Sequence, residues 1–336
     1  MRIEQVDVTD DKTMLACHQV DLAVHDADDP DGPRMAAQTF GAWMRVAWNA
    51  EPREIWVSRA QDGVGAITGW FRLVLPDREN RGRADLDLLV HPRHRRRGTG
   101  RALLQHAIAR ATANGRSTLG SSARQGTPGE AFALAAGAAA TLADVRRVQD
   151  IKALPPLDGL RTAAEQAAAG YRVISWTGIV PEAHLEGVAA VFNAMGDAPR
   201  SEGSQPTQWD AQRVRESVNG LHPQYGDQAY SIAALSRTTG EMAAITQVFV
   251  HAEVPAWGIQ GITAVARQHR GHRLGLLVKL AMLDLLTRAE PRLERIVTMN
   301  AAANDHMIAV NEALGYRIAG PLITRWKLAL APSTPS

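Results

Sequence analysis

One short loop occurs twice in this chain. RHRRRGTGRALL fills residues 93–104 and ARQHRGHRLGLL residues 266–277, so Gly100 and Gly275 stand 175 residues apart. The same order of signals, three strands, the loop, a helix, a strand and a helix, surrounds both copies, which reads as an internal duplication. In the first half EIWVSRA, AITGWFRLVL and ADLDLLV alternate as strands, RALLQHAIARATANG has helical periodicity, and STLGSSA reads as a further strand. In the second half AYSIAALS, MAAITQVFVHA and GIQGITAV are the strands, LGLLVKLAMLDLLTRA the helix, RIVTMNAA the late strand and DHMIAVNEALG the late helix. A length of 336 residues suits two domains. The prolines of ALPPLDG place the cut, giving domains over residues 1–155 and 171–330, a linker over 156–170 and a disordered tail over 331–336.

Arg95, Gly98 and Gly100 form the spacing R-x-x-G-x-G between a strand and a helix. Glycines at such a junction accept positive φ and let a ligand approach the backbone, so successive N–H groups point into one concavity. The helix start adds partial positive charge, and the arrangement suits a phosphate or pyrophosphate. Arg93, Arg95, Arg96 and Arg97 add full charges. A solvated basic turn or a nucleic-acid patch would be basic too, but neither needs a glycine pair at this junction. The loop lacks the Gly-Lys-Ser/Thr of a P-loop, and Arg101–Leu103 break the six-residue glycine spacing of a dinucleotide fold. In the second copy Arg273 replaces the glycine found at Gly98, while Gly271 relaxes the turn before it. Such an arginine fits if its N–H points inward and its side chain outward.

These motifs resemble the GNAT superfamily of N-acetyltransferases. The resemblance covers both halves, so the chain is similar to a tandem GNAT protein with an architecture like that of mycothiol synthase. It implies an α/β (α+β) fold of two tandem domains, each a mixed, mainly antiparallel sheet flanked by helices. It also implies acetyl-coenzyme A, its pyrophosphate on the loop and its pantetheine beside the preceding strand. Carried onto this sequence, the resemblance assigns cofactor contact to Leu88, Leu89, Val90, Arg95, Arg96, Arg97, Gly98, Thr99 and Gly100 in the first half. In the second it assigns Thr263, Ala264, Val265, Arg270, Gly271, His272, Arg273, Leu274 and Gly275. The stretch TMNAAANDHMIAVNEALGYR resembles the family's late strand and helix and adds Asn300 and Asn304. Asn304 is equally a good helix N-cap, and Gly315 a good C-cap.

Acetyl transfer to an amine needs a neutral amine, a polarised thioester carbonyl and a proton for the departing thiolate. The resemblance puts the polarising N–H near Val265. The tyrosine that often serves the family as acid falls at Asn311 and Ala133, so it is absent from both halves. Asp85 and Asp87 are carboxylates on the first-half strand, alternating away from Leu86 and Leu88. The second half has Gln260 and Thr263 in that region, with His251 and Glu253 at a strand end as candidate bases.

The histidine pairs His91/His94 and His269/His272 lack a third ligand, so no metal site is expected. Eight tryptophans are scattered rather than interleaved with basic residues, which argues against nucleic acid. A net charge of +2, a single cysteine (Cys17) and the lack of a long apolar run fit a cytoplasmic protein with no membrane partner. The expected function is acetyl-CoA-dependent acetylation of a primary amine on a small molecule, by a monomer or homodimer, with the second half as catalyst because it keeps the asparagine strand and helix. The alternatives are a noncatalytic CoA-binding sensor and a protein-lysine acetyltransferase.

Overall fold

The computed structural model describes residues 1–46, 51–60, 65–197, 199–201, 203–220 and 222–331. The tail expected beyond residue 331 lies outside the described residues. The chain divides into two compact units, one of Met1–Asp144, Ser201–Gln205 and Gly320–Ser336, the other of Val145–Arg200 and Pro206–Ala319.

Unit 1 holds β1 (Arg2–Gln5), β2 (Arg53–Arg59), β3 (Ile67–Val74), β4 (Arg83–Val90), β5 (Thr118–Arg124) and the first part of β6 (Ala139–Asp150). Unit 2 holds the rest of β6, then β7 (Tyr171–Thr177), β8 (Asp227–Ser236), β9 (Met242–His251), β10 (Trp257–Val265), β11 (Arg295–Ala301) and the short β12 (Arg317–Ile318). The last strand, β13 (Ile323–Ala329), returns to unit 1. The strand order in unit 1 is β1-β2-β3-β4-β5-β13-β6, antiparallel except for the β4/β5 pair. In unit 2 it is β6-β11-β10-β9-β8-β7, with β12 on β6 and β10/β11 parallel.

Helices cover both faces of the unit 1 sheet. They are α1 (Asp11–Asp28), α2 (Ala37–Arg45), α3 (Thr99–Ala113) and α4 (Pro128–Ala135). Every residue of β3 is therefore buried, where a one-sided sheet would show alternation. Phe71 and Leu73 pack with Leu103, Ala107 and Ala111 of α3, while Trp70 packs with Met14 and Cys17 of α1 and Phe40 and Met44 of α2. Unit 2 carries α5 (Asp158–Ala167), α6 (Leu185–Asn193), α7 (Ala211–Arg213), α8 (Leu274–Ala289) and α9 (Asp305–Ala313).

The units interleave in sequence, unlike the contiguous domains the composition shifts suggest. β5 has an open edge that β13 fills over seven register pairs, from Ile323 against Arg124 to Ala329 against Thr118. The segment expected as a linker is α5, docked on α8 by a bidentate Arg161–Asp284 pair at 2.7 and 2.8 Å and by burial of Ala164.

Candidate active site

Each unit opens in the same place. β4 and β5 pair only at Arg83/Thr118, Ala84/Leu119 and Asp85/Gly120, although both strands run on. β10 and β11 pair only at Trp257/Arg295, Gly258/Ile296 and Ile259/Val297. Beyond these pairs the facing edges carry backbone groups without ladder partners, and such groups seek a ligand or water. The glycine loop lies at the open end of each gap, after Val90 and Val265.

The two loops share one backbone shape. Arg96 (φ 62°) and Gly271 (φ 88°) occupy one left-handed position, Gly98 (φ 85°) and Arg273 (φ 52°) the other, so each copy carries one arginine and one glycine in opposite order. Arg273 does stand where the glycine was, and it caps α8 as Gly98 caps α3. A left-handed non-glycine residue costs about 1 kcal/mol or more. Each loop bears that cost once. No atom lies within 4 Å of where a Cβ on Gly98 or Gly271 would stand. Gly98→Ala and Gly271→Ala are therefore expected to destabilise by about 1 kcal/mol each through backbone strain alone. Gly275→Ala, inside α8 with only an ordinary contact to Val265 at 3.7 Å, is expected to be neutral or stabilising. Denaturant midpoints of the three variants check this.

Carboxylates that sequence reasoning missed hold the loop arginines. Arg95 donates to both oxygens of Asp28 at 2.8 and 2.7 Å and to the Val90 carbonyl at 3.2 Å. Arg270 donates to Asp197 at 2.8 Å, and Arg267 pairs with the same carboxylate. Hydrogen bonds from Arg267 and Arg270 hold the Asp197 carboxyl below its usual range. Arg95 and Arg270 thus shape the loops, while Arg93, Arg96 and Arg97 are exposed and have no charge partner among the described residues.

In unit 1 the gap leads into an apolar cleft walled by Leu86 and Leu88, Leu104 of α3, Phe132 and Ala133 of α4, and Trp326 of β13. Trp326 is 7% exposed, and its indole N–H has no hydrogen-bond partner among the described residues. Leu89 faces the opposite cluster with Trp70, Thr99 is buried, and Gly100 leaves room for Phe132, whose ring a Cβ would approach at 3.4 Å. Asp85 is the last paired residue before the gap. Its carboxyl accepts from Arg83 Nε at 2.6 Å, and although 42% of the side-chain surface stays open, the protein packed around the carboxyl desolvates it and raises it above the usual carboxylate range, against the lowering effect of Arg83. Asp87 instead accepts from Arg72 at 2.9 and 3.0 Å, and Arg72 stacks on Trp43 at 3.5 Å, which makes it a packing pair.

Unit 2 fills the equivalent space with its own side chains. Lys279 stands as far beyond Gly275 as Leu104 beyond Gly100, and Asn311, Leu314 and Tyr316 stand around Gly315 as Ala133, Ala136 and Ala138 stand around Gly137. All four of those unit 2 side chains are buried. Lys279 Nζ donates to Gln260 Oε1 at 2.6 Å and lies 4.8 Å from the centre of the Tyr316 ring. Burial lowers Lys279 from an ordinary value of 10.5 to about 7. Thr263 bonds Thr246 at 2.8 Å, Ala264 is buried, and Val265 packs in the core of unit 2. His272 contacts the Tyr171 ring at 5.4 Å, and Leu274 is buried.

Asn300 accepts from Asn311 at 2.8 Å, and Asn304 caps α9 through the Met307 N–H at 3.3 Å. His251 and Glu253 are not brought to the loop. Antiparallel register puts Ala244 of β9 opposite Val265 and Val250 opposite Gly258, so His251 lies about 20 Å along the strand from the loop end. His251 is buried there, accepting the Glu253 N–H at 3.0 Å, and Glu253 is exposed.

A mixed sheet whose one parallel pair splays behind a glycine loop defines an acyltransferase of the GNAT class. The acetyltransferase (GNAT) family model matches residues 21–125, and the chain belongs to that family. A solved tandem GNAT protein from the clavulanic acid biosynthesis pathway, determined without acetyl-CoA, is 30% identical over 99% of both chains, with a TM-score of 0.79. A GCN5-related N-acetyltransferase from Sphaerobacter thermophilus shares the fold at 15% identity, covering 99% of this chain and 96% of its own, with a TM-score of 0.70. A glucosamine N-acetyltransferase region of a fungal multi-domain β-N-acetylglucosaminidase shares it at 12% identity over 97% of this chain and 38% of that one, with a TM-score of 0.66. No curated protein sequence matches. The chain is a GNAT-family acetyltransferase, with acetyl-CoA as the donor typical of that fold.

Proposed function

We propose that this chain consists of two GNAT domains in tandem, acetylates the primary amine of a small molecule, and performs the transfer in unit 1. The observation that carries this reading is the gap between β4 and β5 in unit 1, with Asp85 at its last paired position, the glycine loop after β4 at its open end, and an apolar cleft along the Leu86 and Leu88 face. The residues there fit acetyl-CoA. Backbone N–H groups around Gly98 and Gly100, with Arg93, Arg96 and Arg97, suit the phosphates, and the unpaired edge of β4 and the orphan Trp326 N–H suit the amide-bearing arm. Bound acetyl-CoA supplies an activated acyl thioester.

Asp85 then removes the ammonium proton, directly or through one water, so that a neutral amine faces the thioester. Its raised carboxyl makes it a stronger base than a solvated aspartate, and Arg83 fixes its orientation. Alignment within the cleft contributes the remainder, since positioning alone lowers such barriers substantially. The sequence favours the second half as catalyst, but Lys279 and Tyr316 occupy its cleft and no carboxylate stands at its apex, which supports unit 1 instead. A protein-lysine acetyltransferase would need an acidic groove for a basic peptide. The polar cavity beside Asp85 is lined by Arg83, Arg325 and Lys327, which argues against that role.

A thiol-release assay with acetyl-CoA and an amine panel, coupled to mass detection of product, tests the proposal. Stoichiometric thiol and N-acetylamine are expected. Tight CoA binding with no acetylated product from any amine would instead favour a sensor.

A further inference from the structure

A second cavity in unit 1, of about 240 Å³, opens over the first residues of β4 and β5. Arg83, Thr118 and Gly120 line it together with Arg325 and Lys327 of β13. These positions alternate with Ala84, Leu119 and Leu328, which pack against α3, so the cavity lies on the opposite sheet face.

Its charged walls are built rather than incidental. Arg83 lies over β5 because residue 120 has no side chain, as a Cβ there would come 2.7 Å from the Arg83 Cζ. Arg83 is bonded to Asp85 and Arg325 to Asp144, each at 2.6 Å. Lys327 is exposed on the same face and has no partner among the described residues. Among the described residues three cations stand here against two carboxylates, and Thr118 and Thr141 add hydroxyl groups.

Register gives the spacing. Gly120 is the Cα partner of Asp85 on one side and of Lys327 on the other, so the three form a row across adjacent strands. Two strand spacings separate Asp85 from Lys327, about 10 Å between Cα atoms. Trp326 lines both this cavity and the apolar cleft.

We propose that this cavity is the acceptor subsite of unit 1 and that it selects an amine bearing an anionic group several bonds away, with the amine at Asp85 and the anion at Lys327. Arg83 and Arg325 complete the field that reads the anion. The proposal rests on the reading that unit 1 performs the transfer. A charge-assisted contact of this kind is worth about tenfold or more in affinity.

The test uses the full chain with two matched series: β-alanine, γ-aminobutyrate and ε-aminocaproate against ethylamine, propylamine and pentylamine. The acids are expected to exceed their alkylamine counterparts at least tenfold in kcat/KM. Lys327→Met is expected to remove most of that preference through KM, and Lys327→Arg to keep it. Calorimetric titration of ε-aminocaproate and pentylamine into wild type and Lys327→Met should show the same tenfold difference and its loss.

Equal transfer to both series, or a preference that survives Lys327→Met, overturns the subsite alone. Transfer that fails with every amine overturns the parent reading and the acceptor role with it. If Lys327→Met instead weakens CoA and leaves dephospho-CoA unaffected, the cavity reads the donor's phosphate and the proposal is wrong.

Discussion

Asp85→Asn is expected to lower kcat/KM for acetyl transfer by about 10²- to 10⁴-fold, the usual contribution of a positioned general base. Acetyl-CoA affinity should hold, because Asp85 faces the apex of the gap rather than the loop, and asparagine keeps an oxygen for Arg83. The pH profile separates a base from a merely structural aspartate. Burial raises the Asp85 carboxyl above the usual carboxylate range, and only the deprotonated form accepts a proton. Wild-type kcat/KM should therefore fall as pH drops through that raised value, over and above the loss due to protonation of the free amine. The asparagine variant should show the amine's own titration alone. A variant with the wild-type profile and less than a fivefold loss would remove Asp85 from the chemistry.

Lys279→Met should abolish a strong pH dependence of stability. The folded-state value of Lys279 is about 7 against an ordinary 10.5, so between those limits the unfolded chain holds a proton that the folded chain does not. Stability then rises with pH across that window, by about 1.4 kcal/mol per unit, and the contribution is absent below the folded-state value. Over pH 7 to 9 the wild type should thus gain about 2–3 kcal/mol from this group. The methionine variant loses that slope. Its absolute stability also reflects Gln260 Oε1, which loses its lysine donor, so the slope is the informative quantity. Chemical denaturation of both proteins at several pH values measures it, and parallel curves would contradict the buried, neutral lysine.

Much of this architecture is legible in the residues. Glycine spacing locates both loops, and the apolar steps Leu276, Leu280 and Leu283 anticipate α8 over Leu274–Ala289. Lys279 also lies on that stripe, three residues after Leu276 and four before Leu283, so its burial could have been read from the same pattern. Other features depend on distant partners. Nothing near Arg95 announces Asp28, 67 residues away, and nothing near Arg270 announces Asp197. The polar stretch VRRVQD forms the end of β6, where Arg146, Arg147 and Gln149 are each 5% exposed or less, and nothing in its composition announces that burial.

Asp85 and Asp87 look equivalent in sequence. They part only because Arg72 reaches Asp87 from β3, while Asp85 ends the β4/β5 pairing. The preference for the second half as catalyst came from its asparagines. In the fold the Asn304 oxygen caps α9 and the Asn300 oxygen accepts from Asn311, so both oxygens are engaged within unit 2.

Initial rates of acetyl transfer by Gly98→Glu and Gly275→Glu, each placing a negative charge in one phosphate loop, test the central claim most directly. Transfer should fall at least a hundredfold in Gly98→Glu and remain within a few-fold of wild type in Gly275→Glu. Transfer that survives Gly98→Glu and is lost in Gly275→Glu would contradict the assignment and place catalysis in unit 2.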